Sequence, residues 1–422
     1  MHFLVLTQYF PPETGAPPIR LAAMIRELLH FGHTVEVVTA FPNYPQGKIF
    51  PDYQGHFYQQ EEWEGVQVHR VWMYAATGAG IKRLLNYFSF MITAFWGLRK
   101  AQKKAQKKAQ KKAQKPDYLF VESPPLFLGI TGYLAAKWWG VPFILNVADL
   151  WPDTVKALGL MRNGFALRQA EKLEIFLYRK ASYVTVTATS VHQILINDKH
   201  VPAHKILLLP NGVDTQIFKP QRADAVFRAN LNLPIDKHLI LYAGTHGYAH
   251  GMEVILQAAQ LLTDTNVLFL LVGGGSDKTR IQQLCEKKGL KNVLFWPPHP
   301  PEFIAHLYSL TLAGISTVRD FSLVKYIRSA KTIPIMACGK PVLFCSADEG
   351  MQLITKANAG IIIAPGDSVA LADAVQRLVN DPNYAAELGN NGRVYIEKHL
   401  QWSIVVKNWL QQLREMEKIN PP

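Results

Sequence analysis

The stretch SAKTIPIMACGKPVLFC, residues 329–345, decides how the chain is read, because it carries a helix directly into a strand. Ser329, Ala330 and Lys331 make a polar entry, residues 332–338 are apolar and helix-like, Gly339 closes the helix, and a strand follows over residues 341–344. Glycine is the usual residue just past a helix end and proline the usual stop, so the boundary is well marked. In a doubly wound sheet the front of such a helix faces the crevice where anions sit, since its free N–H groups and dipole favour negative charge. Lys331 stands at that front. The alternative is an ordinary crossover helix with a solvated lysine.

Working outward, strands and helices alternate on both sides. Strands are expected at 239–243, 267–272, 293–296, 313–316 and 360–363, with the loops GTHGYAHG (244–251) and GGGSDK (273–278) after the first two. The first half has the same character: apolar strand runs at 3–6, 33–40, 66–73, 117–122, 143–147, 183–187 and 206–209, and a loop, QYFPPETGAPP, that places Gly15 ahead of a helix at 19–31. Two alternating series, each with a glycine in its first loop, predict an α/β protein with two Rossmann-like domains facing a cleft. Gly244 and Gly247 are then the counterparts of Gly15. The turn Pro210-Asn211-Gly212-Val213-Asp214 and the polar residues after it set the boundary, giving domains at 1–212 and 213–390 and a terminal helical stretch at 391–422 that returns to the first domain. Residues 41–65, rich in proline, glycine and aromatics, read as a long loop.

Composition fits a folded protein: 49% of residues are hydrophobic and 18% charged. The net charge of +13 is local, because eight lysines in residues 100–115, KAQKKAQKKAQKKAQK, account for all but +5 of it. No base-stacking or groove-reading module accompanies them, so no nucleic acid partner is expected. Three cysteines without metal-ligand spacing predict neither a disulfide framework nor a metal site. The N-terminus, MHFLVLTQYFPP, lacks a basic region before its apolar run and reads as a first strand rather than a signal peptide, which implies a cytoplasmic protein.

Residues 81–115 are the most unusual segment. Leu84, Leu85, Phe88, Met91, Ile92, Phe95 and Leu98 recur at helical spacing, and the AQKK repeat follows. The apolar part is short for a bilayer span, which needs about 20 residues, and Asn86 interrupts it. The other readings are a core-packed crossover helix and an interfacial helix lying on an anionic membrane, where lysines near the surface would add about 1 kcal/mol each. At the end of the strand at 143–147 stands Asp149, with Asp153 beyond it. A carboxylate there could accept a proton from a hydroxyl, or cap the next helix.

In this order the motifs PPETGAPPIR, GHTVEVVTA, LNVADLWPD, LLPNGVD, LYAGTHG, LLVGGG, MACGKPVL and AELGNNGRVYIEKHLQWS resemble the retaining nucleotide-sugar glycosyltransferases of family 4, with the GT-B fold. The DLWP element is similar to that of a subgroup that includes fucosamine transferases of surface-polysaccharide assembly. The resemblance implies a nucleoside-diphosphate sugar as donor, a UDP-sugar in preference to a GDP-sugar, with no metal and no further cofactor. It implies that the diphosphate is held by amides near Gly15 and by Gly244, Thr245 and His246, with Lys331 as the basic residue; Asp149, from its place beyond the strand end, would orient the acceptor. A hexose or aminohexose would pass to a lipid-linked or polysaccharide acceptor, with the protein lying peripherally on the inner face of the membrane through residues 81–115. Two glutamates usual in the family are replaced, at Tyr326 and Pro334. That departure motivates a second reading, a catalytically impaired relative serving as a membrane-binding or partner-binding subunit.

Overall fold

The computed structural model describes residues 1–44, 46–76, 80–108, 115–157, 164–322, 324 and 328–419, with backbone alone at 103–108 and 155. The chain divides into two compact units, Met1–Pro210 with Val405–Pro422, and Asn211–Ile404.

In the first unit, the elements in order are β1 (His2–Leu6), α1 (Ala16–His30), β2 (Thr34–Ala40), β3 (Tyr58–Trp63), β4 (Val66–Val71), α2 (Ile81–Lys108), β5 (Tyr118–Ser123), α3 (Leu128–Trp139), β6 (Phe143–Val147), α4 (Asp153–Ala157), α5 (Phe165–Lys180), β7 (Tyr183–Val186), α6 (Thr189–Asn197) and β8 (Ile206–Leu208). The sheet order is β3-β4-β2-β1-β5-β6-β7-β8. Its central strands are buried along their length, as the continuous apolar runs require of a sheet covered on both faces. The strand order reverses between β1 and β5, so this unit's crevice lies at their carboxyl ends.

Residues 41–65 are not a single loop. They include β3, an edge strand antiparallel to β4, in register from Tyr58 opposite Val71 to Trp63 opposite Val66. Its sequence, YQQEEW, has no apolar run. What holds it is polar: Arg70 on β4 is fully buried and donates through Nε to Glu61 at 2.6 Å.

Helix α2 packs on β2, β4 and α3 through Phe90, Ala94, Leu98 and Ala101, all buried. Gly97 permits the close approach, since a Cβ there would lie 2.7 Å from Val71 and 2.9 Å from Val38. The opposite face is also apolar. Ile81, Leu84, Leu85, Phe88 and Ile92 are exposed, Ile81 at 77% and Ile92 at 68%. Their spacing of 3, 1, 3 and 4 residues puts them on one stripe. The stripe read from the sequence thus divides between a core face and an open face. No described helix is long and apolar enough to cross a membrane. Residues 109–114 of the lysine repeat lie outside the described residues.

The second unit contains α7 (Ala225–Asn230), β9 (His238–Ala243), α8 (Glu253–Leu261), β10 (Val267–Val272), α9 (Lys278–Lys287), β11 (Val293–Trp296), α10 (Pro301–Ser309), β12 (Thr311–Thr317), α11 (Thr332–Ala337), β13 (Val342–Cys345), α12 (Gly350–Ala357), β14 (Gly360–Ile363), α13 (Ser368–Asn380) and α14 (Pro382–His399). Its strands are parallel, in the order β11-β10-β9-β12-β13-β14, with the reversal between β9 and β12. Helix α11 is only six residues long. It seats Ile335 against Gly314 of β12, where a Cβ would meet Ile335 at 2.5 Å.

The last helix, α15 (Trp402–Ile419), begins in the second unit and ends in the first. Trp409 is fully buried beside Phe3 and Phe120 and donates through Nε1 to Thr185 Oγ1 at 3.2 Å. Gln412 bonds both the N–H and the C=O of Leu208. The returning helix is therefore fastened by a large apolar side chain, whose truncation costs about 3–5 kcal/mol in a core.

Candidate active site

In the second unit the loops after β9 and β10 interlock. The Gly244 N–H donates to Val272 O and the His246 N–H to Gly274 O, each at 2.9 Å. Both glycines at the crossing have positive φ, 150° at Gly244 and 150° at Gly273. A Cβ on Gly273 would fall 1.9 Å from Gly244 O, and one on Gly244 would fall 2.7 Å from Lys331 Cε. Glycine is required at these points because backbone, and then a lysine side chain, passes through the space of a Cβ.

Lys331 occupies the N-cap position of α11. Its ammonium lies 3.3 Å from Nδ1 and 3.5 Å from Nε2 of His250, and 5.7 Å from the ring centre of Tyr242. No carboxylate among the described residues comes within ion-pairing distance of it. Burial lowers its pKa to about 8, with Asp348 opposing the shift. Asp348 is itself buried and raised to about 6; it accepts from the Gly350 N–H at 2.6 Å and from Ser346 Oγ at 2.9 Å. Burial, then Lys331, then His246 depress His250 to about 3, so its ring is neutral and accepts from the lysine. Arg319, after β12, donates to Tyr248 O at 2.7 Å, lies 4.2 Å from the Tyr248 ring centre and pairs with Glu253.

The residues expected to hold a diphosphate differ in their surroundings. Thr245 is exposed, and its carbonyl accepts from Tyr242 Oη at 2.7 Å. The amides of Gly244 and His246 already serve the sheet loops, and the His246 side chain is fully buried with neither ring nitrogen partnered. The neutral His246 ring, lowered to about 4 by burial, packs between the loops instead of reaching outward. His250, four residues on, is the histidine beside Lys331. In the sequence nothing but its place in the same glycine-bearing loop marks it. Pro334 lies inside α11 and offers no polar group, and the Tyr326 position falls outside the described residues.

In the first unit Gly15 is the N-cap of α1, and a Cβ there would stand 3.3 Å from the Tyr44 ring. Its φ of 161° is ordinary extended backbone. Pro17 and Pro18 bring no N–H to the first turn, so the amides left at the front of α1 are those of Gly15 and Ala16. Glu13 ties the loop to residues 43 and 44, accepting from both their amides at 2.9 Å.

Asp149, just past β6, is open to solvent, yet its surroundings are dense enough that burial raises its carboxyl pKa, with Arg20 pulling the other way. Arg20 is ion-paired to the buried Glu122 at the end of β5, and Asn146 Nδ2 donates to Glu122 at 2.7 Å. This buried triad, which the sequence alone did not single out, forms the base of the site at the β5 and β6 ends. Asp153 opens α4 and is paired with Lys199 at 2.7 Å, a structural tie. Lys331, Gly244, Thr245 and His246 belong to one unit, Gly15 and Asp149 to the other.

Comparison with known proteins matches residues 15–212 to a glycosyl transferase 4-like domain and residues 224–395 to glycosyl transferases group 1. WcaI of Escherichia coli strain K12, named as a colanic acid biosynthesis glycosyl transferase, is 26% identical over 98% of this chain and 100% of its own. Among solved structures, the sucrose-phosphate synthase of Thermosynechococcus elongatus superposes with a TM-score of 0.75 at 20% identity, covering 100% of both chains. HepE of Anabaena in complex with UDP-glucose gives 0.71 at 16% identity, covering 98% of this chain and 100% of that one. With the 4-like domain on the first parallel-sheet unit and the group 1 domain on the second, this protein is a glycosyltransferase of the GT-B fold.

Proposed function

We propose that the protein transfers a hexose or aminohexose, with retention, from a nucleoside-diphosphate sugar to a lipid-linked or polysaccharide acceptor. The observation that carries this reading is Lys331: a recessed ammonium with no carboxylate partner among the described residues, at the strand ends where the second sheet reverses. Such a cation fits a diphosphate, whose charge grows as the glycosidic bond breaks. Thr245, exposed on the loop after β9 whose Gly244 Lys331 packs against, would donate to the same group. The names of WcaI and HepE favour a polysaccharide product and UDP as the nucleotide. Asp149, with a raised pKa and open to solvent, suits the acceptor hydroxyl, which it would orient and whose proton it would accept.

The open face of α2 supports a membrane-borne acceptor. An exposed apolar stripe of about three turns is followed by Arg99 and Lys100, both exposed, and then by the lysine repeat, the pattern of a helix that lies in an anionic headgroup layer. Leu134 and Trp138 of the neighbouring α3 extend the exposed apolar surface. The presence of Lys331 and of the interlocked glycine loops favours catalysis over the impaired alternative. A donor screen reading released UDP or GDP tests the transfer. The membrane reading is tested by sedimentation with vesicles containing anionic lipid, and binding at low salt that is unchanged after deletion of residues 100–115 would refute the role given to the lysines.

A further inference from the structure

We infer that His250 is a proton-taking partner of Lys331, so that binding of a nucleoside diphosphate draws a proton from solvent onto its ring. The inference rests on the reading of this loop as the diphosphate site and deepens it. The argument is geometric first. An imidazole and an ammonium 3.3 Å apart cannot both be cationic without a counter-charge, and no carboxylate among the described residues is ion-paired to either; Asp348, whose charge acts on Lys331, lies beyond ion-pairing distance. His250 therefore accepts a hydrogen bond from Lys331 and stays neutral. Its neighbours do not change this. On its own loop His246 is buried and neutral, and Tyr242 of β9 donates to Thr245 O. Arg319, beyond β12, is paired with Glu253 of α8, which also binds Arg280. Asp348, beyond β13, is held by Ser346 and Gly350.

A diphosphate supplies the missing counter-charge. Lys331 then turns its N–H donors to phosphate oxygen, the ring nitrogen of His250 that had accepted from it is released, and that nitrogen takes up a proton in the field of the anion. The site thus gains a second cation at the moment an anion arrives, without holding two like charges together in the empty state. Bound phosphate raises the His250 pKa above its low free value, so the linkage runs one way: nucleotide affinity is higher at low pH and falls as pH rises through the pKa of the bound state. The loop has a reason to be held still. Thr317 Oγ1 is bonded to His250 O, and the Arg319 N–H donates to Ala249 O at 2.8 Å.

The test is calorimetric titration of the full chain with UDP at pH 7.5, where the terminal phosphate, with a second pKa of about 6, is ionised. Heats measured in two buffers of different ionisation enthalpy give the number of protons taken up. The His250→Gln variant keeps an acceptor for Lys331 but cannot titrate, and its thermal unfolding confirms the fold. The wild type is expected to take up more protons than His250→Gln, by roughly 0.3 or more per UDP, with affinity weakened in the variant by at least about 1.5-fold, as linkage requires. Equal uptake in the two proteins, with UDP bound, overturns the inference alone. Failure of the wild type to bind UDP or GDP at all overturns it together with the diphosphate reading.

Discussion

At the switch point of the second unit, Lys331 and the neutral His250 lie side by side in a recess with no carboxylate paired to them among the described residues; at that of the first, Arg20 is consumed by Glu122 and the open group is Asp149. The same sheet architecture has therefore been given opposite chemistry at its two crevices. On the proposed function, the basic group left unpaired in a recess would take an anion, and the carboxylate of raised pKa, backed by a satisfied ion pair, would take a hydroxyl. The glycines differ in the same way. Gly244 has a positive φ and Lys331 passes through the place of its Cβ, so a side chain there would strain the backbone and displace the lysine, whereas Gly15 sits in ordinary extended backbone beside a movable tyrosine ring.

The sharpest way to break this contrast is at Lys331. Lys331→Ala should lower turnover and nucleotide affinity by about 100-fold or more while leaving thermal stability intact, because the residue removed is a recessed cation without an ion-pair partner. A loss under threefold in calorimetry would place the diphosphate elsewhere. Asp149→Asn comes next, with kcat expected to fall about 10- to 100-fold and UDP affinity to stay within twofold; equal losses in both would erase the division between the units. Gly244→Ala should weaken UDP binding by about tenfold and cost about 1–2 kcal/mol on denaturant unfolding, against less than about 1 kcal/mol for Gly15→Ala.

The pH dependence sharpens the same point. Lys331 has a pKa near 8 in the free protein, and bound phosphate raises it, so its contribution to affinity is complete below about 8 and declines above. In His250→Gln the decline should be confined to that alkaline limb, whereas the wild type loses affinity from lower pH onward. The smallest effect on chemistry is expected from the outward face of α2. Leu85→Glu with Ile92→Glu should change stability by about 0.5 kcal/mol or less and leave transfer to a soluble acceptor unchanged, while sedimentation with anionic vesicles is lost.

The fold was legible because most strands are uninterrupted apolar runs between glycine and proline signals. What the sequence hid depended on distant partners. Strand β3 is polar and exists through Arg70, nine residues beyond Glu61, buried under an edge that only pairing creates. In α2 the two apolar faces could not be assigned to core or surface until β2, β4 and α3 had claimed one of them. The site was half legible. Lys331 and Gly244 stand out by position, but their contact joins residues 87 apart in the chain. Adjacency to the strand end singles out His246 in the sequence, whereas the loop's hydrogen bond to Gly274 turns it inward and His250 stands beside Lys331.

Titration of the purified protein and of Lys331→Ala with UDP and GDP tests the central assignment most directly. The account predicts saturable binding of at least one of the two by the wild type and a loss of about 100-fold in the variant. Binding that is equally tight in both proteins, or absent from the wild type at millimolar nucleotide, would contradict it.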